Sequence, residues 1–550
     1  MSATIPEKDK TLIVDFFGGN ADFIEVRGAI HPIILLSEAF DSSANEKALC
    51  DSITKLMYMD LNNLGWHGSM FPSIIFTNSR RFTEYLADLM KRFKVEEFGV
   101  IHSDVKRRFR EMYINMFEDG DLAGIVATSA LGEGVDFSRA NGVIVVSSPG
   151  HPIFMKQRIG RARHRPGEFP VAGIVSLSSL DLLENVAIIG LILEDVEIGF
   201  TVAIDSFPAI AKTIINAISA AIVNRKERII GIISRSPLIR NKQLVSMIND
   251  ALERDGIIIH ENGIPKLNRR KWIQLYQRTR DENYGSYLRR ALRHFFTVIP
   301  FLSKYEVIVV GKWIKIGDLS PEFVSSRIRP LMTFQLAGRN LRVLKIDHYN
   351  LKIYVEEIEK EEKMIPFWFS PPIVRMKEIS DKMLDSKFLQ ASFTRKEIIF
   401  RDDQIKKIWP FLINEIALIE DAMKDGIPVV WSETDEFSAI TIFSNCGEGG
   451  LRYAAYALAG YFQKIFGPWM QPDVIVTPIS FTLRWRINRP TANDFRKILM
   501  NIKEDSEDIV SEASSDFGMI EAVLKTILEG IARSAYRLDN LYNVAWEWIK

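Results

Sequence analysis

The chain has 550 residues with 70 Lys+Arg and 70 Asp+Glu, so its formal net charge is zero and a uniformly basic nucleic-acid coat is excluded. Hydrophobic residues at 47% and charged residues at 25% are ordinary for a globular protein, and the length corresponds to about three or four domains. Cys50 and Cys446 are the only cysteines, which excludes a disulfide framework and a cysteine zinc site and fits a reducing compartment.

The N-terminus, MSATIPEKDK, has no apolar signal stretch. The apolar runs at Val186–Leu193 and Ile229–Ile233 fall well short of the roughly 18 residues of a membrane span and read as core. A cytoplasmic protein without membrane contact is expected.

From residue 12 to about 200, short β-rich runs alternate with amphipathic stretches. Ser73–Thr77, Phe98–His102, Gly124–Thr128, Gly142–Ser147 and Val171–Leu177 read as strands, with helical periodicity over Phe82–Phe93 and Val105–Glu118. Apolar strands separated by helices predict a parallel α/β sheet buried on both faces. Residues 205–275 read as two or three helices, then Gly256–His260 and a turn at Gly263–Pro265, the order of a winged helix. Residues 285–375 are strand-rich, with turns expected at Gly311, Gly317, Gly338 and Asp347–Asn350, and predict a small barrel or curled sheet. Residues 378–425 return to helix, 437–488 read strand–helix–strand, and the tail from Ala492 is helical. Tyr461, Phe462, Phe466 and Trp469 fall at helical spacing and are expected in the core.

Three polar segments sit at strand ends or helix starts, where open α/β sheets bind ligands. They are Ser73-Ile-Ile-Phe-Thr-Asn-Ser-Arg80, Ala127-Thr-Ser-Ala-Leu-Gly-Glu-Gly-Val-Asp136 and Gln157-Arg-Ile-Gly-Arg-Ala-Arg-His-Arg165. Asn78, Thr128 and Ser129 can contact phosphates, and the arginines can neutralise charge on a transferred phosphoryl group. Taken singly, a Thr-Ser pair is an ordinary helix cap and an arginine-rich helix start an ordinary solvated face. Their joint order and spacing from 73 to 165 outweigh those single readings.

In that order the segments resemble motifs IV, V and VI of superfamily 2 helicases. His102-Ser103-Asp104 resembles the element between them that touches the strand backbone, and Ser2-Ala3-Thr4 is similar to motif III. Gly160-Arg-Ala-Arg-His-Arg165-Pro-Gly-Glu168, Val310–Phe323, Thr333–Asp347 and Ile365-Pro-Phe-Trp-Phe369 resemble the large helicase-related (Lhr) family, as does Ile440–Trp485 more weakly. The sequence departs from that family at Arg163, where it usually has glycine, and His164 takes the place of the usual second arginine. Ser444-Asn-Cys-Gly447 matches the His-x-x-Phe-Gly element only loosely.

The resemblance implies a second RecA-like domain over 1–200, a winged helix over 205–275, a β-rich barrel-like domain over 285–375 and a helical and α/β region over 378–550. It gives Arg161, Arg165 and Gln157 catalytic roles and sets Gly134, Asp136 and Arg161 at the nucleotide. Ser2, Thr4, Asn78, Arg80, His102, Ser103, Thr128 and Ser129 are implied contacts to nucleic acid. Arg235, Arg240 and Lys242 stand before the second helix of the winged helix as phosphate contacts, or as part of a brace for the motor. Trp368 is either a base-stacking platform or core. No metal ligands are expected.

No phosphate loop G-x-x-x-x-G-K-[ST] and no strand-end Asp-Glu pair occurs in the sequence. The expectation is therefore the carboxy-terminal subunit of a split ATP-dependent helicase. A partner chain with the first RecA-like domain would supply most contacts to ATP and Mg²⁺. Family analogy favours 3′-to-5′ movement on single-stranded DNA rather than RNA, and a repair role. The alternatives are an ATP-independent nucleic-acid-binding protein and a remnant of a broken helicase gene.

Overall fold

The computed structural model describes residues 32–39, 45–64, 68–129, 137–161, 170–196, 207–219, 225–236, 239–268, 270–271, 304–348, 350–359, 364–366, 375–401, 403–424, 427–467, 469–491 and 493–494, with Lys10 and Val14. The chain divides into two compact units. One holds Met1–Gly28, Asp104–Arg110 and Glu197–Phe369, the other Ala29–Ser103, Glu111–Val196 and Ser370–Lys550. This division cuts across the linear segments expected from the sequence.

The second unit is built on a parallel sheet. In chain order its first elements are β1 (Ile33–Glu38), α1 (Asn45–Met57), β2 (Ser73–Phe76), α2 (Arg80–Arg92), β3 (Phe98–Ile101), α3 (Arg107–Asp119), β4 (Gly124–Ala127), β5 (Gly142–Val146), α4 (Pro152–Ile159), β6 (Val171–Ser176) and α5 (Ser179–Leu193). The six strands lie in the order β1-β6-β5-β2-β4-β3, all parallel. Every residue of β2, β4, β5 and β6 is buried, which is why these strands are continuous apolar runs without polar alternation. Leu35, Ile75, Val126 and Ile144 from the sheet meet Ile53, Met57, Leu86 and Leu89 of α1 and α2 in one core cluster. The helix starts are capped locally: Ser79 Oγ accepts from Phe82 N at 3.1 Å, and Ser178 Oγ from Asp181 N at 3.1 Å.

In the first unit, α6 (Phe207–Ser219), α7 (Lys226–Ile233) and α8 (Lys242–Arg254) precede a two-stranded hairpin, β7 (Ile258–Glu261) with β8 (Ile264–Leu267). Ile210, Ile214, Ile229, Val245, Ile248 and Ile258 form their shared core. A curled five-stranded sheet follows: β9 (Tyr305–Val309), β10 (Ile314–Leu319), α9 (Pro321–Arg327), β11 (Thr333–Leu336), β12 (Arg339–Asp347) and β13 (Lys352–Glu357), in the order β10-β9-β13-β12-β11. The turns at Gly311, Gly338 and 347–350 lie between strands, but Gly317 does not. It sits inside β10 at an irregularity between Lys315 and Gly317. An added Cβ would stand 2.7 Å from the carbonyl oxygen of Asp104, so close backbone approach is what requires glycine there. The helix α9 was not expected in this strand-rich segment. Ser320 caps it and Pro321 occupies its first turn.

The chain then returns to the second unit with α10 (Lys377–Met383), α11 (Ser386–Ser392), β14 (Ile398–Phe400), α12 (Asp403–Lys424), β15 (Val429–Glu433), β16 (Ser438–Phe443), α13 (Glu448–Phe466), β17 (Asp473–Val476) and β18 (Ser480–Trp485). Two of these strands, β14 and β15, were not anticipated. β14 pairs in parallel with β1, Ile34 opposite Ile398, and becomes the seventh strand of the large sheet. Its pairing covers an edge that would otherwise be open. α5 packs against α10 and α11, and at Gly190 a Cβ would lie 2.0 Å from Cζ of Phe388. The remaining strands form an antiparallel sheet β15-β16-β18-β17 backed by α13. Tyr461 and Phe462 are buried there as expected, but Trp469 is 69% exposed. α13 ends at Phe466, and Gly467, at φ +97°, turns the chain away, so the helical spacing does not extend to Trp469. Among the described residues, no helix is long and apolar enough to cross a membrane.

Candidate functional site

The polar segments singled out in the sequence fall at the C-terminal ends of the parallel strands. Asn78 follows β2, Ser103 follows β3, Thr128 and Ser129 follow β4, and Ser147–His151 follow β5. Ser103 and Ser129 are exposed, and Thr128 is half-buried, its N–H donating to Ile101 O at 3.1 Å. Arg80 is half-buried in the first turn of α2.

Asn78 is a brace before it is a contact. Its Nδ2 donates to Ser148 O at 2.6 Å, and its Oδ1 accepts from Arg158 Nη1 at 2.9 Å. These bonds tie the segment after β2 to the turn after β5 and to α4. Arg158 itself is only 5% exposed and lies over the Phe76 ring at 5.7 Å from its centroid. Burial pushes its guanidinium down to about 10, and its Nε has no hydrogen-bond partner among the described residues. Sequence reasoning passed over Arg158 in favour of its neighbours. The signal was its place between Gln157 and Ile159, where the helical turn faces it inward.

α4 is fixed at both ends. His151 caps it, Nδ1 accepting from Ile153 N at 3.2 Å, and Pro152 follows at the first helical position. At the other end Gly160 and then Arg161 continue the last turn, with Arg161 N donating to Arg158 O at 3.0 Å. Gln157 is exposed on this helix and Arg161 is half-buried.

His102 departs from expectation. Its ring is fully buried, and Nε2 lies 3.0 Å from Oε1 of Glu84, which is also fully buried in α2. It therefore ties β3 to α2 instead of facing a polynucleotide, and the exposed group in that element is Ser103. Ser2, Thr4, Gly134, Asp136, Arg165 and Trp368 lie outside the described residues.

Behind the strand ends a half-buried carboxylate shapes the turn after β5. Asp181 accepts from Ser148 N at 2.7 Å, Leu177 N at 2.9 Å and Ser147 Oγ at 3.1 Å, and holds Ser147 at φ +67°. Burial pushes this carboxyl up from 3.8 to about 6, against the pull of those donors. With the folded value raised, the folded state binds the extra proton between about pH 4 and 6. Asp181 therefore contributes most stability at the acid end and loses it as pH rises through that window, by roughly 3 kcal/mol. Unfolding free energies of wild type and Asp181→Ala, measured across the window, should differ progressively less in favour of wild type. A difference that grows with pH would contradict the assignment.

In the other unit, Arg235, Arg240 and Lys242 are exposed around the turn into α8, whose start is capped by Asn241 Oδ1 accepting from Gln243 N at 3.2 Å. No three His, Cys, Asp or Glu side chains converge on a metal site among the described residues.

The helicase conserved C-terminal domain family matches residues 53–166, which hold β2 to β5 and α4. The ATP-dependent helicase Lhr-Core of Methanocaldococcus jannaschii is 26% identical over 302 residues, covering 54% of this chain and 34% of that protein. Lhr-Core of Saccharolobus solfataricus is 26% identical over 310 residues, with the same two shares. The chain thus spans about a third of the length of these curated relatives. In fold it is similar to the Mycobacterium smegmatis helicase Lhr bound to ssDNA and AMP-PNP, with a TM-score of 0.55 and 14% identity over 99% of this chain and 70% of that one. Residues 53–166 thus carry the helicase conserved C-terminal domain, and over about half its length the chain is similar to Lhr-Core helicases.

Proposed function

We propose that this chain is the carboxy-terminal subunit of a split Lhr-type helicase, an ATP-driven translocase on single-stranded nucleic acid. The observation that carries the reading is the Asn78–Arg158 brace, which joins two helicase motifs into one strand-end edge and supports the helix leading to Arg161. Hydroxyls and arginines at such an edge suit phosphate oxygens. This is half of a nucleotide site, because the sequence supplies no phosphate loop and no acidic pair for Mg²⁺. A partner with the first RecA-like domain would hold the triphosphate and metal. Gly134, Asp136, Gln157, Arg161 and Arg165 would complete the site from this side.

Bound ATP supplies the phosphoryl transfer that drives movement. Arg80, Ser103, Thr128 and Ser129 would meet the tracking strand, Asn78 and His102 positioning them from behind. The three helices and hairpin of residues 207–267 would act as a winged helix, with Arg235, Arg240 and Lys242 on phosphates. Trp368 would stack on a base. The solved Lhr helicase with ssDNA favours DNA as the strand.

The test is reconstitution. The chain alone should show no nucleic-acid-stimulated ATP hydrolysis above an Arg161→Ala control. Co-expression with a chain bearing the phosphate loop should give a 1:1 complex on size exclusion and restore turnover. Hydrolysis by the pure chain would overturn the reading. Separate elution even with single-stranded DNA and a non-hydrolysable ATP analogue would do the same.

A further inference from the structure

The curled sheet turns an aromatic pair outward. The hairpin between β9 and β10 places Gly311 at φ +91° and Trp313 at φ +52°. That turn sets the Trp313 indole edge-on to Tyr354 of β13, with centroids 6.1 Å apart and planes at 76°. The indole is nevertheless 69% exposed. Strand register builds the face around it. Tyr354 stands beside Ile308 of β9 and opposite Lys345 of β12, and Ile308 stands opposite Lys315 of β10. These four side chains form one row across four strands, because directly paired residues share a face. The opposite face carries the buried Val307, Val309, Ile353 and Val355.

Two acids beside this row are paired within the sheet, and a third, Asp347, stands opposite Lys352 and accepts from Asn350 N at 3.0 Å. Glu306 pairs with Lys315 at 2.6 Å, and Glu356 with Arg342 at 3.3 Å. Lys345, which is exposed, and Lys352, two residues before Tyr354, have no ion pair among the described residues. A large exposed ring flanked by two lysines without an ion pair among the described residues is complementary to a chain of bases and phosphates. We propose that this face binds single-stranded nucleic acid, a base stacking on Trp313 and the phosphates beside it meeting Lys345 and Lys352. Stacking on an indole tolerates any base, so the site would grip without reading sequence. The proposal rests on the nucleic-acid reading above and adds a contact point separate from Trp368.

The test is equilibrium binding of the full chain to a labelled oligothymidylate by fluorescence anisotropy. Trp313→Ala should weaken binding by about 5- to 150-fold, with Trp313→Phe retaining most of the affinity. An exposed indole contributes little to the core, so the melting temperature should hardly move. An oligomer abasic throughout should bind wild type and Trp313→Ala alike. In the Lys345→Ala/Lys352→Ala double variant, the slope of log K against log salt should shrink by about 1.4, since each phosphate contact on a single strand contributes about 0.7.

Tight wild-type binding with Trp313→Ala equally tight overturns this proposal alone. Affinity lost only in step with a lowered melting temperature makes Trp313 structural and overturns it as well. An unchanged salt slope overturns the phosphate contacts. No binding by wild type overturns this proposal and the nucleic-acid reading together.

Discussion

Replacing Arg161 with alanine should lower ATP turnover of the reconstituted motor by about 10³- to 10⁵-fold, the usual effect of removing an arginine finger. The size of the effect follows from how firmly the position is set. α4 is capped by His151, begins with Pro152 and is tied to the segment after β2 through Arg158 and Asn78. Arg161 follows its last turn, its own N–H bonded to Arg158 O. A charge held on rigid elements stabilises developing phosphoryl charge without reorganising during the reaction. The interaction strengthens in the transition state, so kcat should fall while nucleotide affinity stays close to wild type. Arg161→Lys keeps the charge but loses the fork and should recover only part of the rate. The assay is steady-state ATP hydrolysis with saturating single-stranded DNA. Turnover within a few-fold of wild type would move the finger to Arg165. Arg158→Ala tests the support: if the brace positions Arg161, this substitution also lowers kcat although the residue is buried behind the edge.

The parts of this site that were legible in the sequence share one physical cause. Strands buried on both faces read as apolar runs, and a parallel sheet gathers their C-terminal ends on one edge. Asn78, Thr128 and Ser129 could thus be set at strand ends from pattern alone. What could not be read was the direction in which polar groups turn. His102 looked like a surface contact because nothing local shows that Glu84, in a separate helix, is buried against it. Arg158 was overlooked because its partner is Asn78, 80 residues away. β14 escaped for a similar reason. Three residues between two helices carry almost no periodicity, and their strand character comes from pairing with β1, over 360 positions earlier. Trp469 shows the reverse error, in which helical spacing was continued past a glycine that ends the helix.

Arg375→Ala should destabilise the protein by about 3–5 kcal/mol, as expected when one partner of a buried ionic cluster is removed. Arg375 Nε donates to Glu184 Oε1 at 3.0 Å, and Nη1 lies 3.5 Å from Glu448 Oε2. Both carboxylates are almost wholly buried. The backbone joins the cluster: Arg375 N donates to Glu448 Oε2 at 3.0 Å, and Glu448 N donates to Arg375 O at 3.1 Å. Burial opposes the charge on Arg375, but the fields of Glu184 and Glu448 outweigh it and raise its pKa above the ordinary value. Without the guanidinium, Glu448 keeps Arg452 at 2.6 Å, whereas among the described residues Glu184 keeps only the Ser148 hydroxyl at 2.6 Å. Glu184 is then the stranded charge. A buried charge without its partner keeps its full desolvation cost, and denaturant unfolding measures the deficit. Adding Glu184→Gln to Arg375→Ala should recover part of the loss, so the two changes will not add. The same cluster reaches the functional edge, because Ser148 also receives Asn78 through its carbonyl. Arg375→Ala should therefore reduce turnover of the reconstituted motor even at temperatures where the fold persists. A deficit under about 1 kcal/mol would mean that water satisfies Glu184 as well as Arg375 does, and that the C-terminal segment is joined to the helicase sheet by β14, apolar packing and the ion pairs of Lys382 and Arg395 with Glu194.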